Sequence, residues 1–174
     1  MVYKYALQDY DKEKMARCLG LSLKGMSMKD AHQIGQHIKG KNTKLVLKEL
    51  DDAINFKRAI PYTRYNSGLG HQKGKVGPGR YPIKGCEIFV KLVKSVVSNA
   101  NEKNLNVDNL IIKHVCVQTG PSDYHHGRQG SRSVKQCHVE IAVCEEEQKV
   151  LDDKKIKKDS KKGKNSKTKK EDAE

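Results

Sequence analysis

Leu110-Ile111-Ile112-Lys113-His114-Val115-Cys116-Val117-Gln118-Thr119 and, after a polar excursion, Val134-Lys135-Gln136-Cys137-His138-Val139-Glu140-Ile141-Ala142-Val143 are the stretches on which the fold turns. Both are rich in β-branched residues and both are long for strands. Between them lie Gly120-Pro121, Gly127 and Gly130, with Arg128 and Arg132 among His125, His126 and several serines. The pattern predicts one long β-hairpin over 109–145. An arm of about eleven residues spans roughly 35 Å at ~3.3 Å per residue, more than the core of so small a body needs. The arms are apolar on both faces at their base and turn polar further out. The base is therefore expected to pack and the tip to leave the body as a probe. The plainer alternative is an edge hairpin with a loose loop.

Upstream of the first arm, Pro82 opens a long helix at the first-turn position where proline is tolerated. Ile83, Cys86, Val90, Val93, Val97 and Ala100 recur at three and four and predict its buried stripe, laid across the base of the hairpin. Lys84, Lys91 and Lys94 fall off that stripe. Two shorter helices precede it. One starts from Ser27 as cap, runs through Ala31, Ile34 and Ile38, and stops at Gly40. The other starts from Asn42, carries Val46, Leu50, Ala53 and Ile54 inward, and is ended by Pro61. Tyr3 to Leu7 fits a short strand, and Asp9 to Gly25 reads as an extended arm or a mobile N-terminus. The class is thus α+β: a small body of helices and antiparallel sheet with one long protruding β-hairpin.

The chain has 174 residues and a formal net charge of +14. That length supports one domain, placed at 1–150, plus an appendage at 151–174. An excess of Lys and Arg of this size favours a polyanionic partner. No apolar run approaches the roughly 20 residues of a spanning helix, which argues against membrane insertion. The N-terminal residues form no apolar signal segment, which points to the cytosol or nucleus. Five cysteines, Cys18, Cys86, Cys116, Cys137 and Cys144, are an odd number and read as small core residues rather than a disulfide framework. After Glu145-Glu146-Glu147 the chain becomes a Lys-rich tail with almost no apolar residues, too polar to order itself. Its lysines suit phosphates or a nuclear-import signal.

The segment from Arg58 to Lys84 contains no acid. It carries Arg58, Arg64, Lys73, Lys75, Arg80 and Lys84, tyrosines 62, 65 and 81, and glycines at 68, 70, 74, 77 and 79. A solvated loop ordinarily mixes both signs of charge. Here glycine admits close approach of the backbone, cations neutralise phosphates, and Tyr65 and Tyr81 can stack on a base or ribose. Nucleic-acid contact is the reading, an idle basic loop the alternative. Arg128 and Arg132 at the hairpin tip suit insertion among phosphates, where each contact releases counterions. Enzyme chemistry finds no support. Asp123, His125 and His126 have nothing rigid to orient them, and no phosphate-cradling Gly-x-x-x-x-Gly-Lys-Ser/Thr loop is present. Cys137 and His138 are adjacent and point to opposite faces of a strand, so they do not share a metal ion. No cofactor is implied.

Arg64-Tyr65-Asn66-Ser67-Gly68, Gly79-Arg80-Tyr81-Pro82, Ser98-Asn99-Ala100, Leu105-Asn106-Val107-Asp108-Asn109-Leu110, His126-Gly127-Arg128 and Cys137-His138-Val139-Glu140-Ile141, in this order, resemble the large-subunit ribosomal protein twenty-two family (seventeen in older eukaryotic naming), in its eukaryotic and archaeal branch. The resemblance covers about Val2 to Gln148. It implies a structural component of the large ribosomal subunit that binds large-subunit rRNA and supports assembly. It also implies neighbouring ribosomal proteins and exit-site factors as partners, cytoplasmic residence, and nuclear or nucleolar passage in a eukaryote. The resemblance assigns Arg64, Tyr65, Arg80 and Tyr81 to the RNA-facing loop. It assigns His126, Gly127 and Arg128 to a hairpin tip lining the polypeptide exit tunnel, beside the nascent chain. Ser122-Asp123-Tyr124 stands where eukaryotic members are expected to carry an arginine run.

Overall fold

The computed structural model describes residues 3–74 and 76–145; Lys75 and the Lys-rich tail lie outside them. Along the chain follow β1 (Met15–Lys24), α1 (Met28–Ile38), α2 (Thr43–Ile54), β2 (Ile60–Pro61), β3 (His71–Gln72), β4 (Gly77–Arg80), α3 (Ile83–Glu102), a 3-10 turn (Val107–Asn109), β5 (Leu110–Thr119), β6 (Asp123–Tyr124), β7 (Ser133–Val134) and β8 (Gln136–Glu145). The class is α+β with antiparallel sheets.

β5 and β8 are the two arms read from the sequence, paired from Leu110↔Glu145 to Thr119↔Cys137. β8 is the central strand of the sheet β1-β8-β5. Its alternation is regular. Cys137, Val139, Ile141 and Val143 are buried in the core shared with the helices, while His138 and Glu140 take the other face. In β5 the register shifts between Ile112 and His114. Lys113 is the extra residue of a bulge, so the inward set changes phase: Leu110 and Ile112 before it, Val115 and Val117 after it. Simple alternation without the bulge would group Leu110 and Ile112 with His114 and Cys116.

Three expectations change here. Asp9 to Gly25 is not an arm. Met15–Lys24 pairs along the whole of β8, from Met15↔Cys144 to Lys24↔Gln136. The hairpin arms are therefore part of the body over their full length, with β1 beside β8 and α1 across β5. Beyond Thr119 and Gln136 stands only the short β6–β7 ladder, Asp123↔Val134 and Tyr124↔Ser133, and its turn. The polar outer half of the arms reflects one solvent-facing side, not departure from the body. Tyr3 to Leu7 forms no strand; it is held on the outer face of the sheet by Glu140.

α1 reaches β5 closely because position 35 is glycine. A Cβ there would lie 3.0 Å from Val115 Cγ1. Gly35→Leu forces α1 off the arm and is expected to cost about 2 kcal/mol by overpacking, read as a lowered denaturation midpoint with unchanged slope.

α3 packs against α2 and β1, with less contact on β8. It does not lie across the hairpin base alone. Its buried stripe is Cys86, Phe89, Leu92, Val93, Val96 and Ala100, with Val90 and Val97 on its margin. Helices on one side and a strand on the other demand a wider apolar arc than a single neighbour, and Phe89, fully buried, fills its middle. Asn42 caps α2 by accepting from the Lys44 amide, whereas Ser27 makes no side-chain cap bond at α1. α2 ends at Ile54, where Phe56 adopts a left-handed φ of 57°. Pro61, expected to end it, instead sits in β2 opposite Gly79.

Candidate nucleic-acid interface

The acid-free segment is folded, not loose. β2, β4 and β3 form a three-stranded ribbon in which Ile60 faces Arg80, Pro61 faces Gly79, and His71 faces Pro78. Glycine at 79 is required by sterics, since a Cβ would stand 3.0 Å from the Ile60 carbonyl oxygen. Two bonds fasten the ribbon to α1. Tyr62 Oη donates to Asp30 at 2.8 Å and the Thr63 amide donates to Gln33 Oε1 at 3.0 Å. Burial, then the bond to Asp30, hold the Tyr62 phenol far above its usual range. The ribbon is thus a stiff platform that presents the basic side chains.

On that platform Arg64, Tyr65, Lys73, Arg80 and Lys84 are all exposed. Tyr65 takes a left-handed φ of 56°, which turns its ring edge-on to His32 at 6.2 Å, with Lys29 Nζ 5.4 Å from the ring centre. A tyrosine is rarely held in that region of backbone space without tertiary cause. Tyr81 leans on Phe56 at 5.3 Å between ring centres, and Arg80 lies 6.0 Å from the Tyr62 ring. Tyr81, Lys84 and Lys135 line one cleft beside the start of α3. The structure therefore brings Arg64 with Tyr65, and Arg80, Tyr81 and Lys84, onto connected surfaces. Lys29 and Lys135, not singled out from the sequence, join them. The acid-free neighbourhood of Lys135 was a signal that could have marked it.

Arg58 behaves differently. Its guanidinium donates to Glu49 Oε1 at 3.1 Å, and the same carboxylate lies 3.1 Å from His37 Nε2 and 2.5 Å from Lys41 Nζ. Burial and the Lys41 charge push the His37 pKa down. Burial pushes Glu49 up, but the bond from Lys41 and the charges of Lys41, His37 and Arg58 outweigh it and leave it lowered. Both shifts have one sign for stability. His37 resists a proton that the unfolded chain accepts near its ordinary value of 6.5, and Glu49 resists one accepted near 4.5. Acidification is therefore destabilising, first through His37 below about pH 6.5 and then through Glu49. His37→Gln is expected to flatten the upper part of the melting-temperature profile and leave the lower part. An unaltered profile would show that His37 does not titrate on unfolding.

Arg128 and Arg132 lie on the exposed tip, with no acid partner among the described residues. The tip turns at Gly127, φ 90°, and closes through the His125 amide donating to the Arg132 carbonyl at 2.9 Å. His126 is exposed beside Gly127. The acid at the tip is a local tie: Asp123 accepts from Gln136 Nε2 at 2.6 Å and lies 3.4 Å from Lys24 Nζ.

Nothing here is arranged for bond-making. Burial pushes the Cys86 thiol up to about 12 and the Cys137 thiol to about 11, far from nucleophilic at neutral pH. Among the described residues no group of His, Cys, Asp and Glu fits a metal ion, and no helix is long and apolar enough to cross a membrane.

The family model described as ribosomal protein L22p/L17e matches residues 16–144. The large ribosomal subunit protein uL22 of Thermoplasma volcanium is 39% identical over 130 residues, covering 71% of this chain and 86% of its own. That of Methanococcoides burtonii is 36% identical over 142 residues, 79% and 93% of the two chains. The uL22B protein of Schizosaccharomyces pombe is 33% identical over 156 residues, 84% and 83%.

Proposed function

Because the chain belongs to the ribosomal protein L22p/L17e family, and is thus a non-enzymatic structural constituent of the large ribosomal subunit that works in the cytoplasm, we propose that its ribbon and hairpin act as two separate RNA-facing tools. The ribbon, with Arg64, Tyr65, Lys73, Lys75, Arg80, Tyr81 and Lys84, pins large-subunit rRNA and supports assembly. Arg58 contributes less, because Glu49 already neutralises it. The tip, with His126, Gly127, Arg128 and Arg132, reaches the polypeptide exit tunnel and meets the nascent chain. Neighbouring ribosomal proteins and exit-site factors meet the rest of the body. Residues 1–150 form the RNA-binding unit, and the tail from 151 to 174 adds diffuse positive charge and serves nuclear or nucleolar passage where the cell has a nucleus.

The observation that carries this reading is the ribbon itself. A segment without a single acid is braced against α1, and its described cations other than Arg58 stand out without an ion-pair partner among the described residues. A protein without a polyanionic partner gains nothing by concentrating like charge on a rigid platform. Sedimentation of a cell lysate through a sucrose gradient at low and high salt tests it. The chain is expected to travel with the large subunit and to stay there at high salt, because many phosphate contacts are made and shielded together. A chain found in light fractions, or stripped by salt, would overturn the reading in favour of a peripheral RNA binder.

A further inference from the structure

The ribbon is not the only unneutralised surface. α1 was read from sequence as a packing helix, and its inner face does pack: Ala31, Ile34 and Ile38 are fully buried. Its outer face carries Lys29, His32, Gln36 and Lys39 at helical spacing. Two clefts flank this face and share Gln36 and Lys39. One opens toward the ribbon, lined by Gln33, Gln36, His37, Lys39, Lys41 and Thr63, with Pro61 at its edge. The other opens toward the hairpin arm, over Val115 and Val117, with His32 and Gly35 at its wall.

Each cleft sets polar groups beside apolar surface. In the first, polar groups converge. Thr63 Oγ1 donates to Gln36 Oε1 at 3.1 Å, and the Thr63 amide fixes Gln33 Oε1 at 3.0 Å. That bond fixes which end of the Gln33 amide faces the ribbon and leaves Nε2, on a side chain only 1% exposed, with no partner. Lys39 has no acid within ion-pair distance among the described residues. The two acids bordering the face are both engaged elsewhere: Asp30 by Tyr62, and Glu49 by Lys41, His37 and Arg58. Glu49 is one charge against the two of Lys41 and Arg58, so the cleft stays positive even before Lys39 is counted. In the second, Val115 and Val117 stand beside the polar groups of Gln36 and Lys39, and His32 Nδ1 is buried and unpartnered at its side. A charged surface that needed only water would not set apolar patches among anion-attracting groups.

We infer that the outer face of α1 is a second RNA-docking surface, crossed by one strand whose phosphates sit at Gln36, Lys39 and Lys41 while a ribose or base rests on Val115 and Val117 beside His32. The inference rests on the RNA-binding reading above and extends it to a face that the sequence assigned only to packing. An RNA strand is the occupant because its repeating unit has both characters that the clefts offer, a charged linker and a flat, largely apolar ring. The surface is also continuous with the ribbon, since Thr63 contacts Gln33 and Gln36, and Tyr65 meets His32 and Lys29. The helix C-terminal end carries a partial negative charge that opposes an anion. Lys39 and Lys41, just past that end, more than offset it.

The test uses the full chain assembled into ribosomes, with a photo-crosslinking residue placed at Gln36 and, in a separate variant, at Arg64. Crosslinking of the Gln36 position to large-subunit RNA supports the inference. Crosslinking of that position to a protein, or none at all while the Arg64 position yields RNA, overturns it and leaves the ribbon reading intact. If neither position yields RNA, the RNA-binding reading fails and this inference with it. Where the Gln36 variant does not assemble, purified full-length chain is titrated with large-subunit rRNA across a salt series. Lys39→Gln is expected to reduce the slope of log affinity against log salt by about 0.7–0.9, one lost phosphate contact, with melting temperature unchanged. An unchanged slope overturns the inference.

Discussion

Changing Arg64, Arg80 and Lys84 together to Glu is expected to exclude the chain from the large subunit. The three side chains are exposed and make no ion pair among the described residues. Their loss therefore costs little folding energy, within about 0.5 kcal/mol per site for surface positions. Their effect on binding is of another order. Each substitution removes a cation and installs an anion, so the local charge changes by two at three connected points. Losing three phosphate contacts alone would lower the salt slope by ~2.7, at about 0.9 per contact on duplex. Three new anions facing phosphates add repulsion, and a backbone pinned by Tyr62 and Thr63 keeps them there. A tagged variant should appear in light gradient fractions while its purified form melts where the unaltered chain does. Normal incorporation would sink the ribbon as an RNA-binding element. The same substitutions to Gln should give a partial defect, since charge is removed but none is reversed.

What was legible in the sequence, and what was not, divides along physical lines. The hairpin was legible because β8 is buried over most of its length and its alternation has no interruption. The acid-free segment was legible because an absence of one charge sign is a property of composition. The ribbon within it was not. Its strands are two to four residues long, and glycine and proline occupy three of the four positions of Gly77–Arg80, which ordinarily argues against a strand. β1 was missed for a related reason. Its residues carry a bulge at Gly20 to Leu23 and alternate poorly, so only pairing with β8 makes them a strand. The Lys113 bulge escaped because one extra residue leaves composition unchanged while reversing every later side chain. The face of α1 escaped because periodicity identifies the side of a helix that packs and says little about what the opposite side is for.

Glu140 joins these threads, and Glu140→Leu is expected to be the most destabilising single change outside the helical core. The carboxylate is 1% exposed in the middle of β8. The Ala6 amide donates to it at 3.0 Å, the Leu7 amide at 3.3 Å and Tyr3 Oη at 3.3 Å, and His114 Nε2 lies 3.5 Å away. Arg17 fastens the segment further on, lying 3.8 Å from the Tyr5 ring centre and 4.3 Å from that of Tyr10. Leucine is close to glutamate in volume, so no cavity opens; what is lost is every acceptor at once. If Tyr3 to Leu7 stayed in place, two amides and a phenol would be left without their acceptor at about 1–3 kcal/mol each. Peeling the segment off restores their contact with water and caps the loss at the packing it surrenders. The net cost is expected on the order of 3 kcal/mol, a fall in melting temperature of roughly 6–12 °C at 2–4 °C per kcal/mol for a chain of this size. Two further readouts separate release of the segment from general loosening. Amide exchange should rise at Ala6 and Leu7 but not in α3. Burial and the nearby Glu140 charge push the Tyr3 phenol up to about 12, so its ultraviolet titration should return toward 10 in the variant, while that of Tyr62, held by Asp30, stays put. A stable variant with Tyr3 unmoved would mean that the segment is held by Arg17 and its ring contacts, and that the buried carboxylate serves only to pair with His114.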